Sequence, residues 1–311
     1  MKALITGISG FTGRYMAEEL AAHGYEVHGL SYRPLHGELP ASITAIHCCS
    51  LNEPQKLRDL LLELRPSHVV HLAAVSFVAH TDADAIYQAN LIGTRNLLEA
   101  LRLIERHLAT VILASSANVY GNTEGVLDET APLAPTNDYA VSKAAMEYLA
   151  RLYQQQLPLI ITRPFNYTGI GQPEQFLIPK IVAHTRRRSE VIELGNLDIA
   201  RDFCDVRHVV RAYRRLLEVP EAIGQTVNIC SGTAHTLQYV LQQAALISGH
   251  PLEVRVNPAY IRSSDVKNLF GSNAKLTRLV GDLQPIPLSE TLRWMIEAPG
   301  SEPEGARWPT Q

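Results

Sequence analysis

The sequence predicts an α/β protein with a doubly wound parallel sheet and a smaller mixed α/β lobe. Six short apolar runs alternate with helix-length segments over residues 1–165, a pattern typical of parallel strands covered by helices on both faces. The first run is followed at once by three glycines at three-residue spacing, a turn that brings a helix N-terminus close to the phosphates of a dinucleotide. Together these observations indicate a Rossmann sheet.

The predicted elements follow one another with short connections. Apolar runs predict strands at 2–6, 25–30, 43–47, 68–72, 110–114 and 157–162, and apolar residues at helical spacing predict helices at 13–23, 53–64, 84–106 and 139–156. After Pro164 the chain changes to short elements separated by proline-rich turns. We therefore expect an NAD(P)-binding Rossmann domain at 1–165, a substrate-binding lobe over most of 166–297 with some chain returning to the sheet, and a flexible tail at 298–311.

Composition argues against several classes of function. The net charge of −3 and pI near 6.5 predict neither a nucleic-acid nor a membrane-surface partner. No apolar run reaches membrane-spanning length, and the predicted strand at residue 2 leaves no room for a signal peptide. The four cysteines have no C-x-x-C spacing, so we expect free thiols and a cytoplasmic location. No metal site is predicted, since His68 and His71 point to opposite faces of one strand.

The glycine-rich turn supplies the predicted cofactor contacts. Gly7, Gly10 and Gly13 allow a tight turn and a close approach of the pyrophosphate, with Phe11 and Thr12 between them. The alternative is a simple strand-to-helix turn. Further cofactor contacts are predicted at Leu51, after the third strand, and at Leu72, the last residue of the fourth. The small residues Ala73 and Ala74, which follow that strand, let the cofactor pass near the backbone.

The end of the second strand indicates which dinucleotide is used. Enzymes that prefer NAD usually place an acidic residue there to bond the ribose hydroxyls. This chain has Ser31, Tyr32 and Arg33 instead, and a hydroxyl with an arginine suits a 2′-phosphate. The sequence therefore favours NADP, used as NADPH, with NAD still possible because Arg33 could equally be an ordinary loop residue.

Tyr139 and Lys143 form the predicted catalytic pair. Four residues apart on a helix, they lie on one face, one turn from each other. An ammonium near the phenol stabilises the phenolate and lowers its pKa, so the pair can act as a general acid and base, with Ser116 as a hydroxyl partner. A solvated helix face is the alternative for this spacing alone.

With these residues in place, the chain resembles the extended short-chain dehydrogenase/reductase family that modifies nucleotide sugars. The resemblance rests on T-G-I-S-G-F-T-G, H-L-A-A, S-S-A-N-V-Y-G, Y-A-V-S-K and R-P-F-N, in that order. It implies that Ser116, Tyr139 and Lys143 are a catalytic triad. Tyr139 would exchange a proton with a sugar oxygen, Ser116 would bond the same oxygen, and Lys143 would hold the nicotinamide ribose.

The later chain resembles the segments that hold the nucleotide in enzymes of GDP-mannose conversion. By this resemblance Arg201 and Arg262 would bind the diphosphate and Asp265 the ribose. The other substrate contacts that it implies are Ser116, Asn166, Lys180 and Asn196. A surface ion pair is the alternative for Arg201 and Asp202.

One departure from the family pattern narrows the reaction. Dehydratases of the family carry acidic residues just after the catalytic hydroxyl, where this chain has Ala117 and Asn118, which cannot exchange a proton at neutral pH. We therefore expect an NADPH-dependent reductase of the C4 keto group of a GDP-4-keto-6-deoxy-hexose, giving GDP-D-rhamnose or its talose epimer. The alternatives are a nucleotide-sugar 4-epimerase with bound NAD and a non-catalytic, NADP-binding regulatory subunit.

A homodimer is expected as well. The helices predicted from Asp84 and from Tyr139 carry apolar residues on more than one face, at Leu91, Leu98, Met146 and Leu149. In the family that the chain resembles, these helices pair across a two-fold axis. The alternative is that these residues pack only on the sheet.

Overall fold

A seven-stranded parallel sheet forms the centre of the molecule in the computed structural model, which describes residues 1–35, 37–76, 82–260 and 268–299. The strands are β1 Lys2–Thr6, β2 Glu26–Ser31, β3 Ala45–Cys48, β4 His68–His71, β5 Thr110–Ala114, β6 Val126–Leu127, β7 Leu159–Pro164, β8 Asn166–Thr168, β9 Val191–Leu194, β10 Ala200–Asp205, β11 Thr226–Ile229, β12 Ala234–Thr236, β13 Glu253–Val256 and β14 Asn268–Gly271. The large sheet has the order β11-β7-β5-β4-β1-β2-β3, and every pairing in it is parallel.

Helices connect these strands. They are α1 Phe11–Ala22, α2 Pro54–Leu64, α3 Ala83–Tyr87, α4 Gly93–Arg102, α5 Asp138–Arg151, α6 Leu177–Arg186, α7 Val206–Leu217, α8 Leu237–Ser248, α9 Ala274–Val280 and α10 Leu288–Glu297. The helix predicted over 84–106 is divided, because a π-helical turn at Gln88–Ile92 separates α3 from α4. Across the described parts of the chain, none of the helices has the length and apolar character needed to cross a lipid bilayer.

Helices cover both faces of the large sheet. On one face α1, α7 and α9 bury residues such as Met16 and Val209 against the strands, and on the other α2, α4 and α5 bury residues such as Leu61 and Leu97. The central strands β1, β4 and β5 are almost continuously buried, as expected for a parallel sheet covered on both sides, whereas the edge strand β3 is only partly buried. The predicted fold class is confirmed.

A smaller lobe lies beyond the large sheet. The strands β12, β10, β14 and β6 form a mixed sheet that β8 joins through β10, while β9 and β13 form a separate pair. The helices α6, α8 and α10 share a third apolar core. The later chain also returns to the large sheet through β11, which pairs with β7. Residues 300–311, most of the predicted tail, lie outside the described part of the chain.

The strand register brings the predicted site residues to one edge. Thr6 pairs with His71, His71 with Leu113, and Ala114 with Thr162, so four neighbouring strands end at the same level. Ligands of open α/β sheets bind outside the carboxyl ends of the strands. This edge is therefore where a site is expected.

Candidate active site

The glycine-rich turn packs so closely that side chains at two of its glycines would collide with the backbone. Gly7 has a φ of +72°, and a Cβ there would lie 2.8 Å from the Ala73 nitrogen. A Cβ at Gly13 would lie 2.4 Å from the Gly7 carbonyl oxygen. Gly10 stands exposed at the N-cap of α1. The free N–H groups of this helix start can donate hydrogen bonds to phosphate oxygens, so the turn fits the pyrophosphate of a dinucleotide.

Of the other predicted cofactor contacts, Leu72 and Ala73 border this turn. Leu72 and Ala73 follow β4, where their nitrogens donate to the Thr6 carbonyl oxygen at 3.2 Å and the Thr6 hydroxyl at 3.1 Å. Ala74 is half-buried beside them, and Leu51 is partly buried in the core that α4 covers. In the described residues no group of three or more histidine, cysteine or acidic side chains could hold a metal ion.

Ser31 and Arg33 take different positions at the end of β2. Ser31 is buried and its hydroxyl donates to the Arg33 carbonyl oxygen at 2.7 Å, so it shapes the turn. The expectation that this hydroxyl would serve a 2′-phosphate is therefore corrected. Arg33 itself is exposed, and its guanidinium lies 4.9 Å from the centre of the exposed Tyr32 ring.

The predicted catalytic side chains lie at the carboxyl edge of the sheet. The Asn137 side chain caps α5 by accepting from the Ala140 nitrogen at 2.9 Å, which places Tyr139 and Lys143 in the first two turns of the helix. Ser116 follows β5. Tyr139, Lys143 and Ser116 are each buried.

Asn118 orients the Ser116 hydroxyl. The Ser116 oxygen accepts from the backbone nitrogen and from the side-chain amide of Asn118, each at 3.2 Å. Because both bonds point into this oxygen, the Ser116 proton remains for donation outward. Ser116 interacts with the Tyr139 phenol and lowers its pKa. Asn118, which cannot itself supply a proton, thus fixes the orientation of the Ser116 hydroxyl, which can donate one.

Burial sets the protonation of the predicted catalytic pair, Tyr139 and Lys143. It raises the pKa of Tyr139 to about 12, and it lowers the pKa of Lys143 to about 8. The Lys143 ammonium donates to the Ala114 carbonyl oxygen at 2.6 Å. In this arrangement Ser116 is the side chain that lowers the Tyr139 pKa, and the predicted effect of Lys143 on that pKa stays a prediction.

Two further residues, Tyr167 and Asn90, lie at the candidate site, although the sequence analysis did not predict them there. The Tyr167 hydroxyl lies 2.8 Å from the Thr12 hydroxyl, and its ring stacks on Phe11 with centroids 6.1 Å apart. The Asn90 side chain accepts from the Val75 nitrogen at 2.8 Å and donates to the Ser142 hydroxyl at 3.0 Å. The sequence signal available for Asn90 was an amide side chain next to apolar residues in a predicted helix.

The predicted substrate contacts occupy the smaller lobe and its junction with the sheet. Asn166 is exposed on β8, and Asn196 is half-buried after β9. The Lys180 ammonium donates to the Glu193 carbonyl oxygen at 2.6 Å and lies 4.3 Å from the centre of the Tyr260 ring. The predictions for Arg262 and Asp265 fall outside the described residues.

Arg201 and Asp202 are both buried on β10, so a surface ion pair is the wrong description. The Asp202 carboxylate accepts from the backbone nitrogens of Ser231 and Gly232 at 3.0 and 2.8 Å. It therefore fixes the turn after β11. The Arg201 guanidinium donates to the Ala200 carbonyl oxygen at 3.1 Å.

The sequence model of the GDP-mannose 4,6 dehydratase family matches residues 4–295. The chain belongs to this family. It is therefore a nicotinamide-dependent oxidoreductase of the extended short-chain dehydrogenase/reductase type, as the sequence motifs predict.

Two curated relatives match along almost their whole length. GDP-6-deoxy-D-talose 4-dehydrogenase of Aggregatibacter actinomycetemcomitans is 32% identical, over 91% of this chain and 92% of the relative. GDP-6-deoxy-D-mannose reductase of Pseudomonas aeruginosa is 34% identical, over 95% and 96%.

Solved structures share the fold. The structure of a proposed epimerase from Burkholderia cenocepacia J2315 is 47% identical, with a TM-score of 0.89 over 96% of this chain and 97% of that one. The structure of RMD from Pseudomonas aeruginosa complexed with NADPH is 31% identical, with a TM-score of 0.80 over 95% and 97%.

Proposed function

We propose that the protein reduces the C4 keto group of a GDP-linked 4-keto-6-deoxy-hexose, forming GDP-D-rhamnose or its talose epimer from GDP-4-keto-6-deoxy-D-mannose. The observation that carries this proposal is the buried Tyr139 phenol beside the Ser116 hydroxyl, which Asn118 orients. The site thus offers two proton donors to one oxygen, whereas Ala117 and Asn118 offer no acid for the loss of water. The two curated relatives named above are both enzymes of GDP-6-deoxy sugars.

In the proposed reaction, side chains of this protein supply the proton that the C4 oxygen takes up. When bound, the nicotinamide supplies a hydride to C4. Tyr139, with a pKa of about 12, is protonated at neutral pH and can donate to the alkoxide that develops at the C4 oxygen. Ser116 donates a second hydrogen bond to that oxygen, an interaction that strengthens as negative charge forms. The Lys143 ammonium, tied to the end of β5 at Ala114, lies one turn further along α5 and can hold the nicotinamide ribose.

NADPH is the cofactor that we propose. Arg33 is exposed at the end of β2 and can form charge-assisted hydrogen bonds with a 2′-phosphate, whereas no acidic residue follows this strand to bond the ribose diol. For the sugar nucleotide we propose Asn166, Lys180, Asn196 and Arg201, together with Arg262 and Asp265.

A cytoplasmic homodimer is also proposed, with a changed set of interface residues. Leu98 and Met146 are fully buried within one protomer, so they cannot contact a second copy. The outward face of α5 instead presents an apolar stripe at helical spacing, formed by the exposed Val141 and Tyr148 and continued by Leu152, the residue that caps the C-terminus of the helix. A second copy of the same helix can cover this stripe across a two-fold axis. All four cysteines are free thiols, as a reducing compartment requires.

The decisive experiment supplies GDP-4-keto-6-deoxy-D-mannose and follows NADPH oxidation at 340 nm, with product stereochemistry determined by NMR. We expect stoichiometric NADPH consumption and a 6-deoxyhexose that is reduced at C4. Sedimentation at micromolar concentration, with Tyr148→Glu as the interface variant, tests the dimer. A monomeric wild type would contradict that part of the proposal.

A 4-epimerase remains the second candidate because of the likeness to the proposed epimerase structure. Tightly retained NAD after purification, with interconversion of C4 epimers and no net NADPH consumption, would favour it over the reductase. Cofactor binding without turnover of any keto-sugar would instead favour a regulatory subunit.

A further inference from the structure

Glu147 places a buried carboxylate next to the catalytic lysine. It lies one helical turn after Lys143 on α5, and its side chain is 0% exposed. Arg163 on β7 binds it through two nitrogens, with Nε to Oε1 at 2.9 Å and Nη2 to Oε2 at 2.6 Å. The Ser115 hydroxyl donates to Oε1 at 2.5 Å. Ser115 is the residue before Ser116, so the carboxylate touches the segment that carries the catalytic hydroxyl.

Further hydrogen bonds extend from Arg163, on the side of the Glu147–Arg163 ion pair away from Ser115. Arg163 Nη1 donates to the Tyr120 hydroxyl at 2.9 Å, and that hydroxyl donates to Asn228 Oδ1 at 2.7 Å. The network therefore joins α5 to the ends of β5, β7 and β11. Buried ion pairs are often replaceable by apolar residues of similar volume with little loss of stability, so their location calls for another explanation. Glu147 of the Glu147–Arg163 ion pair lies on α5, the helix that also carries Tyr139 and Lys143.

We propose that Glu147 is a positioning residue, whose carboxylate holds Lys143 in the ammonium form and fixes the Ser115–Ser116 segment. The proposal rests on the proposed function in so far as Lys143 and Ser116 serve one reaction. Burial favours the neutral amine, and Glu147 is the charged group that opposes this effect at Lys143. A neutral Lys143 would lose its charge-assisted hydrogen bonds with the backbone and with a ribose.

The titratable groups around Lys143 come from three elements. Tyr139 and Glu147 lie on the same helix. His71 faces it from β4, where burial and the Lys143 charge lower the pKa of the imidazole to about 3, so His71 is neutral at physiological pH. Arg163, from β7, contacts Glu147. Glu147, one helical turn from Lys143, is thus the buried anion whose charge favours the ammonium.

Glu147→Gln tests the proposal because it keeps the shape of the side chain and removes its charge. Lysines labelled with ¹³C at Cε allow the Lys143 titration to be followed by NMR in the free protein, and Lys143→Arg assigns the signal. We expect the Lys143 midpoint, near pH 8 in the wild type, to fall by about one pH unit or more in the variant. The alkaline limb of the kcat/KM profile should move by the same amount. Glu99→Gln, which removes an arginine-paired carboxylate from α4, should leave both unchanged.

Two more variants keep the test decisive if Glu147→Gln folds poorly. Glu147→Asp keeps the charge and should retain the wild-type midpoint while lowering kcat, because the shorter side chain loosens the bond to Ser115. Glu147→Gln combined with Arg163→Gln removes both buried charges, so no guanidinium is left unpaired, and should still lower the midpoint. An unchanged Lys143 midpoint in either charge-removing variant overturns the proposal. The NMR titration needs no sugar, so absence of keto-sugar reduction would refute the proposed function and leave this result intact.

Discussion

His208 makes a specific prediction for acid stability. The imidazole lies on α7 with 2% of the residue exposed, and among the described residues neither ring nitrogen has a hydrogen-bond partner. Burial, with help from Arg211, lowers its pKa to about 4 from an ordinary value of 6.5. The unfolded chain therefore binds a proton at a higher pH than the folded protein does. The stability that neutral His208 contributes is full above pH 6.5 and is lost as the pH falls towards 4.

The loss of stability at low pH can be calculated from the lowered pKa of His208. One proton of difference changes the free energy of unfolding by about 1.4 kcal/mol per pH unit, so His208 alone should remove about 2 kcal/mol between pH 7 and pH 5. His71 acts in the same direction, since its pKa is lowered to about 3. Urea unfolding followed by circular dichroism at pH 7, 6 and 5 measures the total. The wild type should lose several kcal/mol over this range.

A substitution separates the His208 contribution from the rest. His208→Leu removes the titrating group at little cost, because the ring makes no hydrogen bond within the described structure. We expect the variant to be about 2 kcal/mol less sensitive than the wild type between pH 7 and pH 5. His107→Gln, at an exposed position, is the control and should keep the wild-type pH dependence. Equal pH dependence in His208→Leu and the wild type would refute the reasoning.

Three further predictions concern the site. Tyr139→Phe should lower kcat by ~10²–10⁴-fold with little change in the Kd of NADPH, measured by steady-state kinetics and fluorescence titration; a variant that keeps a tenth of kcat would show that another group donates the proton. Gly13→Ala should weaken NADPH binding more than tenfold, because its Cβ would lie 2.4 Å from the Gly7 carbonyl oxygen, while Gly10→Ala, with 3.2 Å, should lose less. Arg33→Glu should reduce the ratio of kcat/KM for NADPH over NADH at least tenfold, and an unchanged ratio would contradict the role of Arg33.

The sequence predicted best where local pattern decides structure. The strand Thr110–Ala114 was predicted to the residue, since an apolar run between polar turns allows little else. Tyr139 and Lys143 were predicted on one helix because spacing alone sets their common face. The turn glycines were predicted from their spacing, and the backbone of Gly7 does lie close to Ala73, while their contact with a cofactor stays a prediction.

The failures belong to contacts between distant residues. The π-helical turn at Gln88–Ile92 accompanies the bonds of Asn90 to Val75 and Ser142, which lie 15 and 52 residues away. The strand Val126–Leu127 lies between the strand predicted at 110–114 and the helix predicted at 139–156, where no element was predicted, and it pairs with β14 from near the end of the chain. The pKa of Tyr139 depends on its burial, which spacing does not report. Local periodicity contains none of this information.

The place of β11 in the large sheet also bears on biosynthesis. The strand Thr226–Ile229 pairs with β7 and brings Asn228, which accepts from the Tyr120 hydroxyl. The six strands of the large sheet that precede β11 leave the ribosome first, but the free edge of β7 stays unpaired until residue 229 has emerged. Pairing over such a distance in sequence slows folding. A fragment that ends after Pro164 would leave this edge of β7 unpaired and would lack one strand of the large sheet.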